Sequence, residues 1–244
     1  PWVGFLREED NLFGSPNDMV FDTILKRLYV ANVGHNTISV LDANTLEILK
    51  KIIIDPIIYP ILTTDIKNHK LYICGQNEST VYVYDGETFQ ELQKKNIGYQ
   101  VYDIISCPSG GKIYLGTLNN GLVALESSTL KEIGKLPISL SILGQPLDFQ
   151  LYIDDTFNLL IAIYGNLNDG YYISFFDTIS DNVLSTLKLE KFDAMYDFCV
   201  SINNITGKVY VLNSAISSIM VFEDPANPLY ISPSPPTSLT SSTD

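Results

Sequence analysis

The chain has 244 residues, 45% of them hydrophobic and only 18% charged, with 15 Lys and Arg against 28 Asp and Glu and a net charge of −13. No basic surplus is available to neutralise phosphates, which argues against a nucleic-acid binder. The content of Ile, Leu, Val and Tyr argues against disorder over most of the chain. No apolar run approaches the ~18 residues of a membrane span, and the stretch 51–62 is interrupted by Asp55, Pro56 and Pro60.

In chain order, Trp2-Val3-Gly4-Phe5-Leu6 is a strand-like run standing ahead of a repeat. The repeat then announces itself through a short apolar run that follows a turn. The instances are Leu28-Tyr29-Val30, Leu71-Tyr72-Ile73, Ile113-Tyr114-Leu115, Leu159-Leu160-Ile161 and Val209-Tyr210-Val211, at offsets of 43, 42, 46 and 50 residues. Arg27, Lys70, Lys112 and Lys208 precede four of the five. A second run follows each and ends in an acid: Asp42, Asp85, Glu126, Asp177 and Glu223. In the first three repeats a Thr stands three residues after the acid (Thr45, Thr88, Thr129), where an acid opening a turn can accept a backbone N–H two residues on. A strand-like segment precedes each first run. Further segments follow the turns at 47–54, 91–97, 132–138 and 183–189.

Each repeat therefore predicts four antiparallel strands, a to d, rich in β-branched and aromatic residues and bounded by Gly, Asn, Asp and Pro. Units of about 45 residues with four strands are the blades of a β-propeller. The expected class is all-β, with five blades visible and residues 1–231 forming the propeller. Helical periodicity is nowhere sustained.

The segment from Leu28 to Asp42, LYVANVGHNTISVLD, resembles the YVTN-type β-propeller repeat, with Ala31 in place of the Thr; Tyr210-Val211-Leu212-Asn213 matches in part. The resemblance runs loosely over 16–231. It implies the propeller fold, and a kinship with archaeal and bacterial cell-surface proteins; some relatives are lyases or redox-enzyme subunits.

A closed ring is expected to take residues 2–7 as the outer strand of its last blade. That blade's own candidate, Leu229-Tyr230-Ile231, is flanked by Pro228 and Pro233 and donates poorly to a ladder. The other readings are a fragment of a six- to eight-bladed ring, and an N-terminal strand that pairs with a neighbouring molecule in a polymer. The chain starts at Pro1, as a processed product or an excised domain would. Residues 232–244, eleven of thirteen being Ser, Thr or Pro, form a linker, the start of a stalk or a frayed end.

On one face of such a ring, acids stand at the start of strand a in four repeats: Asp18, Asp103, Asp148 and Asp197, with Ile61 in the second. Either each accepts backbone N–H bonds there, or together they hold a hard cation such as calcium or attract a basic ligand. The b–c loops carry Asn32, Asn36, Gln76, Asn77, Asn119, Asn120, Asn166, Asn168 and Asn213, suited to turns and also to glycan hydroxyls. Asn77-Glu78-Ser79 and Asn204-Ile205-Thr206 are glycosylation sequons in predicted loops.

Cys74, Cys107 and Cys199 form no CxxC pair and are expected to be buried free thiols. His35 falls in a b–c loop and His69 in an a–b turn, on opposite faces, so no two-His metal centre forms. No nucleophile elbow, P-loop or dinucleotide fingerprint occurs. The expectation is therefore a non-catalytic extracellular module, structural or adhesive. It would belong to a surface layer, filament or virion surface, with no cofactor beyond a possible calcium. Its partners would be other surface proteins, copies of itself or glycans. A charge-poor exterior suits an acidic habitat, such as that of a thermoacidophilic archaeon. The alternative is a small-ligand or cation binder, or a lyase- or lactonase-like enzyme, at the acidic channel mouth.

Overall fold

The computed structural model describes residues 15–138, 148–166, 170–189, 198–203, 205–213 and 218–222. Every sheet in them is an antiparallel meander in chain order. The first comprises β1 (Pro16–Asp22), β2 (Arg27–Asn32), β3 (Thr37–Asp42) and β4 (Ile48–Ile53). The second comprises β5 (Pro60–Asp65), β6 (Lys70–Gly75), β7 (Thr80–Asp85) and β8 (Glu91–Asn96). The third comprises β9 (Val101–Cys107), β10 (Lys112–Thr117), β11 (Gly121–Glu126) and β12 (Glu132–Leu136). The fourth comprises β13 (Asp148–Asp154), β14 (Leu159–Asn166), β15 (Gly170–Asp177) and β16 (Val183–Lys188). Among the described residues the last sheet has three strands: β17 (Phe198–Ile202), β18 (Val209–Asn213) and β19 (Ser218–Phe222). The expected strand at 2–7 and the tail at 232–244 lie outside the described residues.

The core lies between sheets. Tyr29, Ala31, Ile38 and Val40 of the first sheet pack against Leu62, Leu71, Ile73 and Tyr84 of the second. Equivalent layers join the second sheet to the third, the third to the fourth and the fourth to the fifth. This explains why the middle strands of the second, third and fourth sheets lack the clean apolar–polar alternation of a one-sided sheet: both of their faces are covered. The fifth sheet is covered on one face, with Val209, Val211, Met220 and Phe222 buried against the fourth sheet and Leu212 and Ile219 exposed on the other side. Each Ile, Leu or Phe moved fully into these layers contributes about 1.5–3 kcal/mol. Of the outer strands, β8 and β16 alternate and share one pattern of exposure, whereas β4 is exposed except at Ile52. Lys50, Lys51, Lys94, Lys95, Lys135 and Lys188 lie on these outer strands, and charge there discourages edge-to-edge pairing.

One turn design recurs at both hairpins of a sheet. An acid ends the first strand, except in the a–b turns of the third and fifth sheets, where Cys107 and Asn203 hold its place, and four residues later a residue takes the left-handed conformation. In the c–d turns these are Leu46, Phe89, Leu130 and Asp181. Their N–H groups donate to the carbonyls of Asp42, Asp85, Glu126 and Asp177 at 2.8–2.9 Å. In the a–b turns Lys26, His69, Gly111, Asn158 and Gly207 hold the same place. The acid's Oδ1 supports the turn: Asp42 accepts the N–H groups of Asn44 and Thr45, and Asp85 those of Glu87 and Thr88. Glu126 is one methylene longer and instead accepts the Thr129 hydroxyl.

This turn frame also corrects the register of the fourth repeat. Leu159 follows the left-handed Asn158, so it stands where Arg27, Lys70 and Lys112 stand, and Leu160-Ile161-Ala162 is the equivalent apolar run. A slip of one residue exchanges the two faces of a strand. Ile161 therefore occupies the position of Tyr29, Tyr72 and Tyr114.

Candidate functional site at the inner strands

The first strands of successive sheets lie side by side: β1 against β5, β5 against β9 and β9 against β13. Two of the four candidate acids are described there with their side chains. Asp18 on β1 accepts the N–H of its own neighbour Met19 through Oδ1 and that of Leu62, on β5, through Oδ2 at 2.7 Å. Asp103 on β9 repeats this with Ile104 and with Leu151 of β13, again at 2.7 Å. Between the second and third sheets, where Ile61 replaces the acid, the Thr63 hydroxyl accepts the Ser106 N–H at 3.0 Å. Asn17 adds a bond from Nδ2 to the Pro60 carbonyl.

The acids thus link one inner strand to the next. The register does not carry all four to one level. Counting back from the turn residues Asp22, Cys107, Asp154 and Asn203, Gln150 and Cys199 stand level with Asp18 and Asp103. Asp148 lies two residues nearer the strand start, with only its backbone described, and Asp197 lies outside the described residues.

Burial raises the carboxyl pKa of both described acids, and the accepted N–H bonds pull it back. For Asp103 burial prevails and, with a smaller contribution from the charge of Asp18, pushes the value up to about 7. A carboxyl there can exchange a proton near neutrality. Among the described residues no three His, Cys, Asp or Glu side chains converge as a metal site. Calcium takes about six to eight oxygens, and each of these carboxylates already accepts two N–H bonds.

A second set of polar links lies at the turn end of the sheets. Tyr29 donates its hydroxyl to the Gly86 carbonyl, Tyr72 to that of Ser127, and Tyr114 to that of Thr178, each reaching into the next sheet. The N–H of each acceptor residue in turn donates within its own sheet, to His69, Gly111 and Asn158 respectively. Beside these bonds, Arg27 stacks on Phe89, and Lys112 pairs with Asp181, which also accepts the Tyr114 hydroxyl.

Cys107 occupies the turn position that Asp22, Asp65 and Asp154 hold elsewhere. The missing acid is supplied by Asp155 of the next sheet, which accepts the Ser109 N–H and hydroxyl and approaches the Cys107 thiol at 3.4 Å. Cys74 and Cys107 are buried and free as expected, whereas Cys199 is exposed, because it lies on the face of β17 opposite Phe198, Val200 and Ile202, which pack toward the fourth sheet. Cys107 meets Asp155 and Ser109. His35 and His69 lie at opposite ends of the hairpins, in the β2–β3 loop and the β5–β6 turn.

The amide-rich loops divide. Asn32 is fully buried and donates to Val30, Thr37 and Ser39, a structural role. Asn120 accepts from Lys135. Asn77 is exposed, with a left-handed backbone. Asn204 lies outside the described residues. The Tyr clamps and the loan of Asp155 escaped the sequence reading, although the Tyr spacing was a visible signal for the former.

No protein-family model and no curated protein sequence matches the chain. Among solved structures it resembles Kuenenia stuttgartiensis hydrazine synthase, with a TM-score of 0.65 and 15% identity over 89% of this chain and 67% of that one. It also resembles the Cps50 (Swd1) β-propeller domain of Myceliophteria thermophila, with a TM-score of 0.64 and 13% identity over 86% of this chain and 65% of that one. The chain spans about two thirds of the length of each. At such identities the likeness concerns the fold: the sheets are blades of the β-propeller type.

Proposed function

We propose that the chain is an extracellular structural or adhesive module, a closed five-bladed propeller that acts through its broad faces. Its partners are other surface proteins or further copies of itself, and residues 232–244 join it to them. The observation that carries this reading is the use made of the polar side chains at the blade junctions. Asp18, Asp103, Tyr29, Tyr72 and Tyr114 all bond to the following blade, so their chemistry serves cohesion. Closure is argued from the same series. Tyr210 repeats the clamp residue in the fifth repeat, and Ala43, whose N–H donates to Lys26, repeats the acceptor position in the first blade. Residues 2–7 are the fourth strand of the fifth blade in this reading. Exposure of Asn77 supports its glycosylation, with Asn204 as the second acceptor.

A second reading is favoured by one observation, the Asp103 carboxyl held near 7. It makes the inner strands a cation or small-ligand site, or the acid–base centre of a lyase- or lactonase-like enzyme. Calorimetric titration with calcium and simple sugars, together with mass spectrometry of Asn77 and Asn204, separates the two. Silent titrations with glycosylated sequons support the module. Tight binding that disappears in Asp103→Asn supports the second reading and overturns the first.

A further inference from the structure

The junction between the fourth and fifth blades lacks the middle-strand clamp that joins the first four; the bond across it comes instead from Tyr152 on β13, whose hydroxyl lies 3.4 Å from the Phe198 carbonyl of β17. Ile161 stands in place of the Tyr, and Leu159 in place of the Arg or Lys. Among the described residues, the inner strands β13 and β17 touch more sparsely than β1 and β5, β5 and β9, or β9 and β13. A cleft of about 510 Å³ opens there at the turn end, with Ile153, Val200 and Ile202 among its walls and Tyr152 beside them. Asp154 and Asp155 also line it, and among the described residues no Lys or Arg does. Asp154 is only 6% exposed. Its Oδ1 accepts the N–H groups of Thr156 and Phe157, and its Oδ2 has no donor among the described residues.

We propose that this cleft binds an alkyl cation: an ammonium or guanidinium group on an apolar stem. The stem lies along the aliphatic walls, and the charge meets the Tyr152 ring and the Asp154–Asp155 rim. The chain's net charge of −13 favours the approach of such a ligand. A free amine and a partner's Lys or Arg side chain share this chemistry. The site does not depend on the extracellular reading, since it uses only the fourth and fifth blades and one wall residue of the third, Ile105.

The test is ligand-observed NMR and calorimetry on the full chain with n-butylamine, n-butanol, spermidine and N-acetyl-lysine methylamide. The expected result is binding in the range of ~1 mM or tighter for the cations, with butanol weaker by about tenfold. Tighter binding of the lysine amide assigns the site to a partner's side chain, and tighter binding of spermidine assigns it to a free amine. Ser201 lines the cleft and is exposed, so Ser201→Trp fills it and Ser201→Lys places a competing cation in it. Each should abolish binding while leaving the circular dichroism and melting curve intact. Equal binding of butanol and butylamine overturns the proposal. So does absence of cation binding, or binding unchanged in whichever of the two variants folds.

Discussion

Asp18 and Leu62 are separated by 44 positions in the chain, yet the carboxylate of one accepts the backbone N–H of the other at 2.7 Å. Asp103 and Leu151 reproduce the bond across 48 positions at the same length. The repetition identifies it as a joint between blades, and makes these carboxyls sensitive to pH.

The direction of that sensitivity follows from the raised pKa. Between the ordinary carboxyl range and about 7 the folded protein holds a proton on Asp103 that the unfolded chain has released. Stability from this group is therefore present at acidic pH and is lost as pH rises through about 7. Asp18 acts in the same sense. Asp85 and Asp177, whose pKa values are lowered chiefly by turn N–H bonds, act oppositely and lose their contribution only as pH falls below the usual carboxylate range. The melting temperature should rise by ~2–4 °C for each ~1 kcal/mol gained between pH 7 and pH 5. Asp103→Asn should flatten that rise. A collapse of the wild type by pH 4 would remove the case for an acidic habitat.

Tyr72 is fully buried and supplies the donor to the Ser127 carbonyl at 3.0 Å. Tyr72→Phe keeps the ring and leaves that carbonyl unpaired, at a cost of about 1–3 kcal/mol, readable by chemical denaturation. If the ring closes through Tyr210 and Ala43, Tyr210→Phe should cost a similar amount. An unchanged denaturation midpoint in Tyr210→Phe would count against five-bladed closure.

Lys26 is exposed and left-handed, with φ 54°, at a position held by glycine in the third and fifth repeats. A side chain in that conformation costs about 1–2 kcal/mol, while glycine gives back about 0.5–1 kcal/mol in chain entropy. Lys26→Gly should therefore stabilise the protein by ~0.5 kcal/mol. Asn158→Gly should be close to neutral, since Asn tolerates this region. Equilibrium urea titrations resolve the pair.

The thiols should react in a fixed order. Cys199 is exposed, whereas burial pushes the Cys74 thiol up to about 12 and raises that of Cys107. Iodoacetamide should label the native protein at Cys199 alone, with the other two labelled only after unfolding. Mass spectrometry of the peptides decides it.

The strand frame was legible because apolar runs, turn acids and glycine recur at nearly constant spacing. The predicted outer strands at 91–97 and 183–189 end within a residue of β8 and β16. The fourth repeat misled by one position because Leu159, Leu160 and Ile161 are interchangeable as hydrophobic letters. Only the left-handed Asn158 fixes which of them faces the fifth blade. The acid series misled in a similar way: spacing to the next run cannot show that Gln150, and not Asp148, is level with Asp103. The joint made by Asp155 is illegible in sequence, since a Cys in a turn position gives no hint that a carboxylate from another repeat completes the turn.

Because the large apolar layers are each shared by two sheets, no blade owns the interior that stabilises it. Peeling one away strips a flank from each neighbour it leaves behind, so damage spreads laterally instead of staying local. Rupture under load should begin where the fourth sheet faces the fifth, the described junction whose middle strands carry no tyrosine clamp.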